Sequence, residues 1–314
     1  MIGRVFTSTH QVFELPALLA WSVVHTGGVP CDSFSVSFLF ETGMTATLDS
    51  AAGFLALHEG EVVFKGIVDE FSVDLDAGGL TASIHGRGYA ARLLDNESQP
   101  MTYQDATLSE ILRQHVVPYG IPIAETADVR ASSVYTVAAG TSQWKALENF
   151  CRTYGGFVPR FGRDGTLSAA PEKPGKILAL SDSDPVIACS LQEDRYGVLT
   201  EALIIDKTRN VSYSVKNQER IDQGGSCRRV LYTSGQSTWA AMRYTGEYQI
   251  QQSKEDQRRV TITLPGSFPA FPGDRAAVRL PRLGVSGMFR VCEVENSFSC
   301  KDGAVSELIL KPVV

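Results

Sequence analysis

Between residues 33 and 40 large apolar side chains alternate with smaller ones: Phe34, Val36, Phe38 and Phe40 share one parity, Ser33, Ser35, Ser37 and Leu39 the other. Successive side chains of a strand point to opposite faces, so this stretch predicts a strand with one face in a core. Thr45 to Leu48 and Gly53 to Leu57 read as further short strands, and Glu59-Gly60 as a turn. An extended run follows from Val62 to Leu75, in which Val62 and Phe64 occupy one parity and Ile67, Phe71, Val73 and Leu75 the other. A buried face that switches near Gly66 predicts a β-bulge or sharp bend there, a device small barrels use at their corners. Ala77-Gly78-Gly79 then turns the chain into Leu80, Ala82 and Ile84, alternating with Thr81, Ser83 and His85, which predicts an antiparallel hairpin.

After Asp95-Asn96 the spacing becomes helical. Thr107 and Glu110 form a T-x-x-E capping box ahead of the stripe Leu108, Ile111, Leu112 and Val116, and Pro118 with Gly120 ends that helix. A second helix is predicted from about Ser142 to Tyr154, with Trp144, Leu147, Phe150, Cys151 and Tyr154 on one side and Gly155-Gly156 as its stop. Phe157 to Phe161, a turn at residues 162–165, and Thr166 to Ala169 make a hairpin for these helices to pack on. Pro171 to Gly175 marks a boundary. Beyond it, Leu199 to Ile205 and Val211 to Val215 read as paired strands and Trp239 to about Ile250 as an aromatic-rich helix. From Arg258 the β pattern returns in Val260, Ile262 and Leu264. Pro272-Gly273-Asp274 turns into Ala276 to Leu280, and Met288 to Phe298 with Ala304 to Leu310 make a last hairpin about Lys301-Asp302-Gly303. The expected fold class is β-rich α+β: two small antiparallel β-barrels with α/β insertion segments. The expected divisions are a first barrel over 1–95, an α/β segment over 96–175, a second over 176–257, and strands completing the second barrel over 258–314.

Length and composition bound what such a chain can be. Its 314 residues suit two or three compact units, and 43% hydrophobic with 20% charged residues is enough to bury cores without staples. A net charge of −6 disfavours a surface built to neutralise phosphates, so no sequence-specific nucleic acid partner is expected; a conduit that merely lets nucleic acid pass would tolerate it. Cys31, Cys151, Cys189, Cys227, Cys292 and Cys300 are dispersed, with no C-x-x-C pair, which disfavours a metal site and suits buried thiols made in a reducing cytoplasm. The apolar stretch Val12 to Val24 is interrupted by Glu14 and Pro16 and reads as strand rather than export signal. No run approaches the roughly 20 apolar residues that span a bilayer, so no membrane insertion is expected.

Each candidate for chemistry competes with a simpler role. Gly86-Arg87-Gly88-Tyr89-Ala90-Ala91 matches G-x-G-x-x-A, but that fingerprint needs a parallel βαβ unit and here follows an antiparallel hairpin; a glycine-permitted strand exit fits better, and no cofactor is expected. Asp69 and Glu70 are neighbours on a strand, so their carboxyls point to opposite faces and cannot share a substrate atom as a glycosidase pair must. Asp74 and Asp76 lack the further ligands of a calcium loop. His10, His25, His58, His85 and His115 are scattered, and His85 and His115 read as surface or cap residues. Arg228-Arg229 and Arg258-Arg259 read as salt-bridge or interface residues, and Trp144 and Trp239 as core anchors. No catalytic, cofactor-binding or metal residue is nominated.

Three stretches together resemble the baseplate hub proteins of contractile phage tails and related tail-like injection particles. The first is Glu61-Val62-Val63-Phe64-Lys65-Gly66-Ile67-Val68-Asp69-Glu70 continuing through Leu80 to Gly88 into Tyr89-Ala90-Ala91-Arg92-Leu93-Leu94, like the family's F-x-G-x-V strand, hairpin and short helix. The second runs from Ser142-Gln143-Trp144-Lys145-Ala146-Leu147 through Tyr154-Gly155-Gly156-Phe157 to Arg163-Asp164-Gly165-Thr166-Leu167. The third is Pro272-Gly273-Asp274 with Phe289-Arg290-Val291 and the last hairpin, whereas the first 30 residues match none of the family's motifs. The resemblance implies a structural protein, not an enzyme: a homotrimer whose two barrels per chain form a pseudo-sixfold ring. The tail tube protein would lie above, the spike protein below, and other baseplate proteins around it. It implies synthesis in the bacterial cytoplasm and assembly into a virion or tail-like particle baseplate, with wall-cutting activity residing elsewhere. The rivals from other classes are a β-rich cell-wall glycan hydrolase and a carbohydrate-binding module, the latter needing an exposed aromatic row such as Phe34 to Phe40 could give.

Overall fold

The computed structural model describes residues 1–9, 11–27, 30, 32–233, 238–255 and 257–313; Cys31 and His10 lie outside them. The fold is β-rich α+β, with 48% of residues in strands and 19% in helices. The chain divides into two units, Met1–Lys176 with Leu264–Asp274 and Cys292–Leu308, and Ile177–Thr263 with Arg275–Val291 and Ile309–Val314.

In the first unit the strands β1 (Ile2–Thr7), β2 (Val12–Glu14), β3 (Leu18–Thr26), β4 (Ser33–Leu39), β5 (Ala51–His58), β6 (Glu61–Asp76) and β7 (Gly79–Gly88) form one antiparallel sheet in the order β3-β4-β7-β6-β5-β1-β2. The serine alternation of β4 does what the pattern predicts: Phe34, Val36 and Phe38 are buried beside Val23, Phe54, Phe64 and Ile84. That burial removes the exposed aromatic row a carbohydrate-binding strand would need. Glu59 and Gly60 both have positive φ, the signature of the two-residue turn that matches the twist of flanking strands.

Several details depart from expectation. Thr45 to Leu48 is a helix, α1 (Thr45–Asp49), because only Leu48 has a core to enter and one turn suffices to place it. The parity change on β6 is made by two bulges flanking Gly66. Register slips opposite Ala56/Leu57, making Val63 the extra residue, and again between Val68 and Glu70, making Asp69 extra. The first puts Val63 and Phe64 both into the core. The second swings Asp69 outward, where both its oxygens accept from Arg87 at 2.8 and 2.9 Å. Beyond Phe71 the run leaves the core, with Leu75 77% exposed. Among the described residues the pairings close no barrel.

The rest of this unit builds a second core. It contains α2 (Ala91–Leu94), β8 (Met101–Tyr103), α3 (Leu108–His115), β9 (Ile123–Thr126), β10 (Tyr135–Val137), α4 (Gln143–Phe150), β11 (Arg160–Phe161) and β12 (Leu167–Ala169). The capping box forms as read: Glu110 N–H donates to Thr107 Oγ1 and Thr107 N–H to Glu110 Oε2. Ser142 caps α4, which loosens into a π-turn at Cys151–Gly155 and stops at Gly156, φ +71°. Leu108, Ile111, Leu112, Trp144, Leu147 and Phe150 pack together as the two stripes predicted. His115 is not a surface cap. It is buried, accepts from Tyr103 O–H at 3.0 Å and donates to Gln143 Oε1 at 2.6 Å, because at the end of α3 it falls on the apolar side.

The second unit holds β13 (Ile177–Ser181), β14 (Ala188–Glu193), β15 (Glu201–Asp206), β16 (Val211–Lys216), α5 (Gln218–Asp222), β17 (Arg228–Tyr232), α6 (Trp239–Glu255), β18 (Arg258–Pro265) and β19 (Arg275–Leu280). The order β16-β15-β17 makes a small sheet whose Ala202 and Ile204 meet Met242 and Ile250 of α6. Trp239, read as a core anchor, is 50% exposed beside Tyr213 and Arg209, since it stands at the helix start. Arg228 and Arg259 do pair with carboxylates, Glu201 and Asp194. β14 pairs with β18, β13 with β19, and β19 with β20 (Val285–Ser299), which is followed by β21 (Gly303–Pro312). The far half of β20 belongs to the first unit, where residues 293–299 pair with β3 from Thr26 back to Ala20. Of the thiols, Cys151 is buried, Cys189, Cys227 and Cys292 are half-buried and Cys300 is exposed, so the expectation of buried thiols holds for Cys151 alone among these.

Candidate functional site

The residues that looked chemical in the sequence do not converge. Gly86 and Gly88 sit inside β7, not at a nucleotide loop: a Cβ on Gly86 would collide with the Ile67 carbonyl and with the ring of Phe34, its cross-strand partner. Arg87, between them, clamps Asp69 and Asp95, and this guanidinium holds the Asp95 carboxyl below its ordinary range. Asp76 caps its own turn through Gly78 N–H, and Asp74 accepts from Ser72. Among the described residues no group of three or more His, Cys, Asp or Glu side chains is placed to hold a metal ion. Among the described residues no helix is long and apolar enough to cross a membrane.

What the first unit does assemble is a groove of about 850 Å³. One wall comes from the end of β3 and the β5–β6 turn, a second from β11, β12 and the turn between them, and a third from the segment at residues 268–274. His25 stands at its base, 3% exposed, with Nε2–H donated to the Val63 carbonyl at 2.8 Å. That bond fixes the tautomer and leaves Nδ1 as a lone pair, which has no partner. Burial lowers the imidazole pKa to about 4, with the Val63 bond opposing and the charge of Arg163 assisting. Ser168 Oγ, on another wall, is likewise buried and unpartnered.

Asp32 stands at the same groove. Its Oδ1 accepts from Thr26 N–H at 2.7 Å and Thr26 O–H at 3.1 Å. Burial nonetheless raises its carboxyl to about 6, these two donors pulling it back. The third wall is aromatic. The rings of His58 and Phe268 lie 5.2 Å apart and those of Phe268 and Phe271 are stacked at 6.1 Å. Arg163 lies 4.7 Å over Phe271 and reaches Glu61 at 3.7 Å. The segment is held by Asn296 Oδ1, which accepts from Phe268 N–H at 2.7 Å, and by Asp274 Oδ2, which accepts from Phe271 N–H at 2.9 Å.

His25, Asp32, Ser168, Phe268 and Phe271 come from three distant stretches, and no local pattern marks them. The one readable sign was Pro272-Gly273-Asp274, a turn whose aspartate orients an aromatic neighbour.

No family model matches the chain, and no curated protein matches it in sequence. Solved structures do match. The tail protein from Neisseria meningitidis MC58 superposes with a TM-score of 0.81 at 18% identity, over 99% of this chain and 96% of that one. The 43 kDa tail protein of prophage MuSo2 from Shewanella oneidensis gives 0.81 at 14%, over 99% and 98%. A component of the E. coli type VI secretion system, described as similar to the T4 bacteriophage tail proteins gp27 and gp5, gives 0.58 at 9%, over 95% and 74%. At these identities the likeness is one of fold: over nearly its whole length the chain is built as phage tail proteins are.

Proposed function

We propose that this protein is a structural hub of a phage tail or tail-like contractile injection particle, a non-enzymatic baseplate component. Three copies close a pseudo-sixfold ring that joins the tail tube above to the central spike below, within reach of other baseplate proteins. The observation that carries the reading is the whole-length likeness of fold to two tail proteins, 99% of this chain against 96% and 98% of theirs. Synthesis is in the bacterial cytoplasm, followed by incorporation into the particle.

The strand edges support association. β14 ends its sheet path, and Ile187 beside it is 58% exposed with Leu191 36% exposed on it. An unprotected apolar edge is a hazard in a free monomer and a docking strip in an assembly. On this reading residues 1–95 and 258–314 supply strands that sister subunits complete into barrel-like modules, with the segments 96–175 and 176–257 decorating the ring. Ring closure by head-to-tail contacts leaves no edge unmet. Light scattering and negative-stain imaging of the purified chain, alone and with its tube and spike partners, test this. Rings of three with a central hole are expected in the assembled state. A strict monomer that hydrolyses peptidoglycan would overturn it.

A further inference from the structure

Two open sheet faces, one on each unit, carry opposite charge. On the first unit, cross-strand pairing lines up Ser297, Ser22, Ser35, His85 and Glu70 on one side of the sheet. Their chain neighbours Trp21, Val36 and Ile84 are buried, so this is the side away from the core. The same side holds Glu295 opposite Val24, and Asp74 opposite Thr81. Glu70 and Glu295 are exposed and have no cationic partner among the described residues. Glu295 accepts only the Ser22 hydroxyl, which leaves its charge in place. Arg87, the guanidinium at this face, is already held by Asp69 and Asp95.

On the second unit, β13, β19 and β20 show the reverse. Ile177, Arg275 and Arg290 form one outward row, Ala179, Ala277 and Met288 the next, and Ser181, Arg279 and Ser286 a third. Leu180, Ala276, Val278 and Phe289 on the other side are buried. Arg275 stands directly opposite Arg290, and like charges so placed destabilise a sheet. Glu255 reaches Arg290 at 3.7 Å, but Arg275 and Arg279 have no carboxylate partner among the described residues. The nearby Asp184 and Asp274 are turned back on backbone N–H groups. This face therefore calls for an anionic guest, and the first for a cationic one.

We infer that the two faces are halves of one contact between copies: the face of Arg275, Arg279 and Arg290 on one copy lies against the face of Glu70, Asp74 and Glu295 on the next. One chain carries both halves, and its net charge of −6 disfavours nucleic acid as the anionic guest. Serine and alanine floors let two sheets approach face to face, at the usual spacing of roughly 10 Å. Each face also sets an exposed apolar side chain among its charges, Leu39 opposite Thr81 on one and Ile177 opposite Arg275 on the other. A contact between unlike faces is head-to-tail and repeats from copy to copy. The inference rests on the self-association proposed above and adds which faces meet.

The test uses the full chain. Sedimentation velocity follows its mass over a concentration series at low salt and at about 0.5 M salt, where exposed charges are screened within a few ångströms. Association is expected at low salt and should weaken at high salt. Arg275→Glu with Arg279→Glu should lower the association constant at least about tenfold, and so should Glu70→Lys with Glu295→Lys, since either sets like charges face to face. Mixing the two variants should restore association, because each keeps the face the other needs; recovery also shows that both are folded. A short duplex oligonucleotide, added as a competitor, should leave the association unchanged. The inference is overturned if either variant associates like the parent, if the mixture does not recover, or if the duplex displaces the second copy. Rings that persist in both variants would sink this contact and leave the hub reading standing, whereas a parent chain that stays monomeric alone and with tube and spike would sink both.

Discussion

His25, buried, and Asp32, half-buried, stand beside one groove and are displaced from their ordinary pKa values in opposite directions. As pH falls from 6.5 toward 4 the unfolded chain protonates His25 while the folded chain does not, so stability is lost, by about 3 kcal/mol over the window. Asp32 does the reverse. Between about 6 and 3.8 the folded state binds its proton first, so stability is gained, again by about 3 kcal/mol. The two windows overlap and these contributions offset one another. Asp32→Asn therefore exposes the His25 term: its urea midpoint, measured from pH 7 to 4, should fall more steeply than that of the parent chain. Parallel curves would contradict the offset. Gly86 makes a steric prediction. Because the Phe34 ring and the Ile67 carbonyl fill the place of a Cβ, Gly86→Ala should destabilise by at least about 2 kcal/mol in the same assay. In the sequence this glycine looked like the end of a strand; only the register that sets Phe34 opposite it reveals a packing role.

At the level of elements, what was legible is what is local. The Thr107–Glu110 box could be read because both partners lie three residues apart. Thr107→Ala removes the hydroxyl that accepts Glu110 N–H and should cost about 1 kcal/mol, seen as a lower thermal midpoint. The alternation in β4 was legible for the same reason: one buried face follows from period two alone. Thr45–Asp49 was not, since a single buried residue, Leu48, satisfies a strand and a helical turn equally. Bulges were half legible. The parity change on β6 announced that register must slip, but where it slips depends on which cross-strand pairs hold. The pairs put the extra residues at Val63 and Asp69, leaving Gly66 opposite Phe54 and Gly88.

For the whole molecule, the β-rich α+β character and the tail-protein likeness were legible from strand spacing and motif order, while the two closed barrels expected from the same spacing do not form among the described residues and the groove was not legible at all. Its walls are gathered from residues 25–27, Asp32, residues 58–63, 160–176 and 268–274, and such gathering is a property of topology rather than of any stretch. The exposed strip at β14 makes a prediction at this scale: Ile187→Lys with Leu191→Lys should leave the monomer folded and lower the mass seen by light scattering under assembly conditions, whereas an unchanged mass would move the contact elsewhere. The pairing of β3 with β20 bears on how the chain is made. Ser22 O–H donates to Glu295, 273 residues downstream. At translation rates of about 5–20 residues per second, the first sheet waits on the order of 15–55 s with β3 unzipped on that side. Trp21 and its neighbours spend that interval without Phe298 to cover them. Nascent copies on one message are thus open to stray strand exchange until β20 emerges, and yield in a host should respond to slower initiation or added chaperone before it responds to any change in the finished fold.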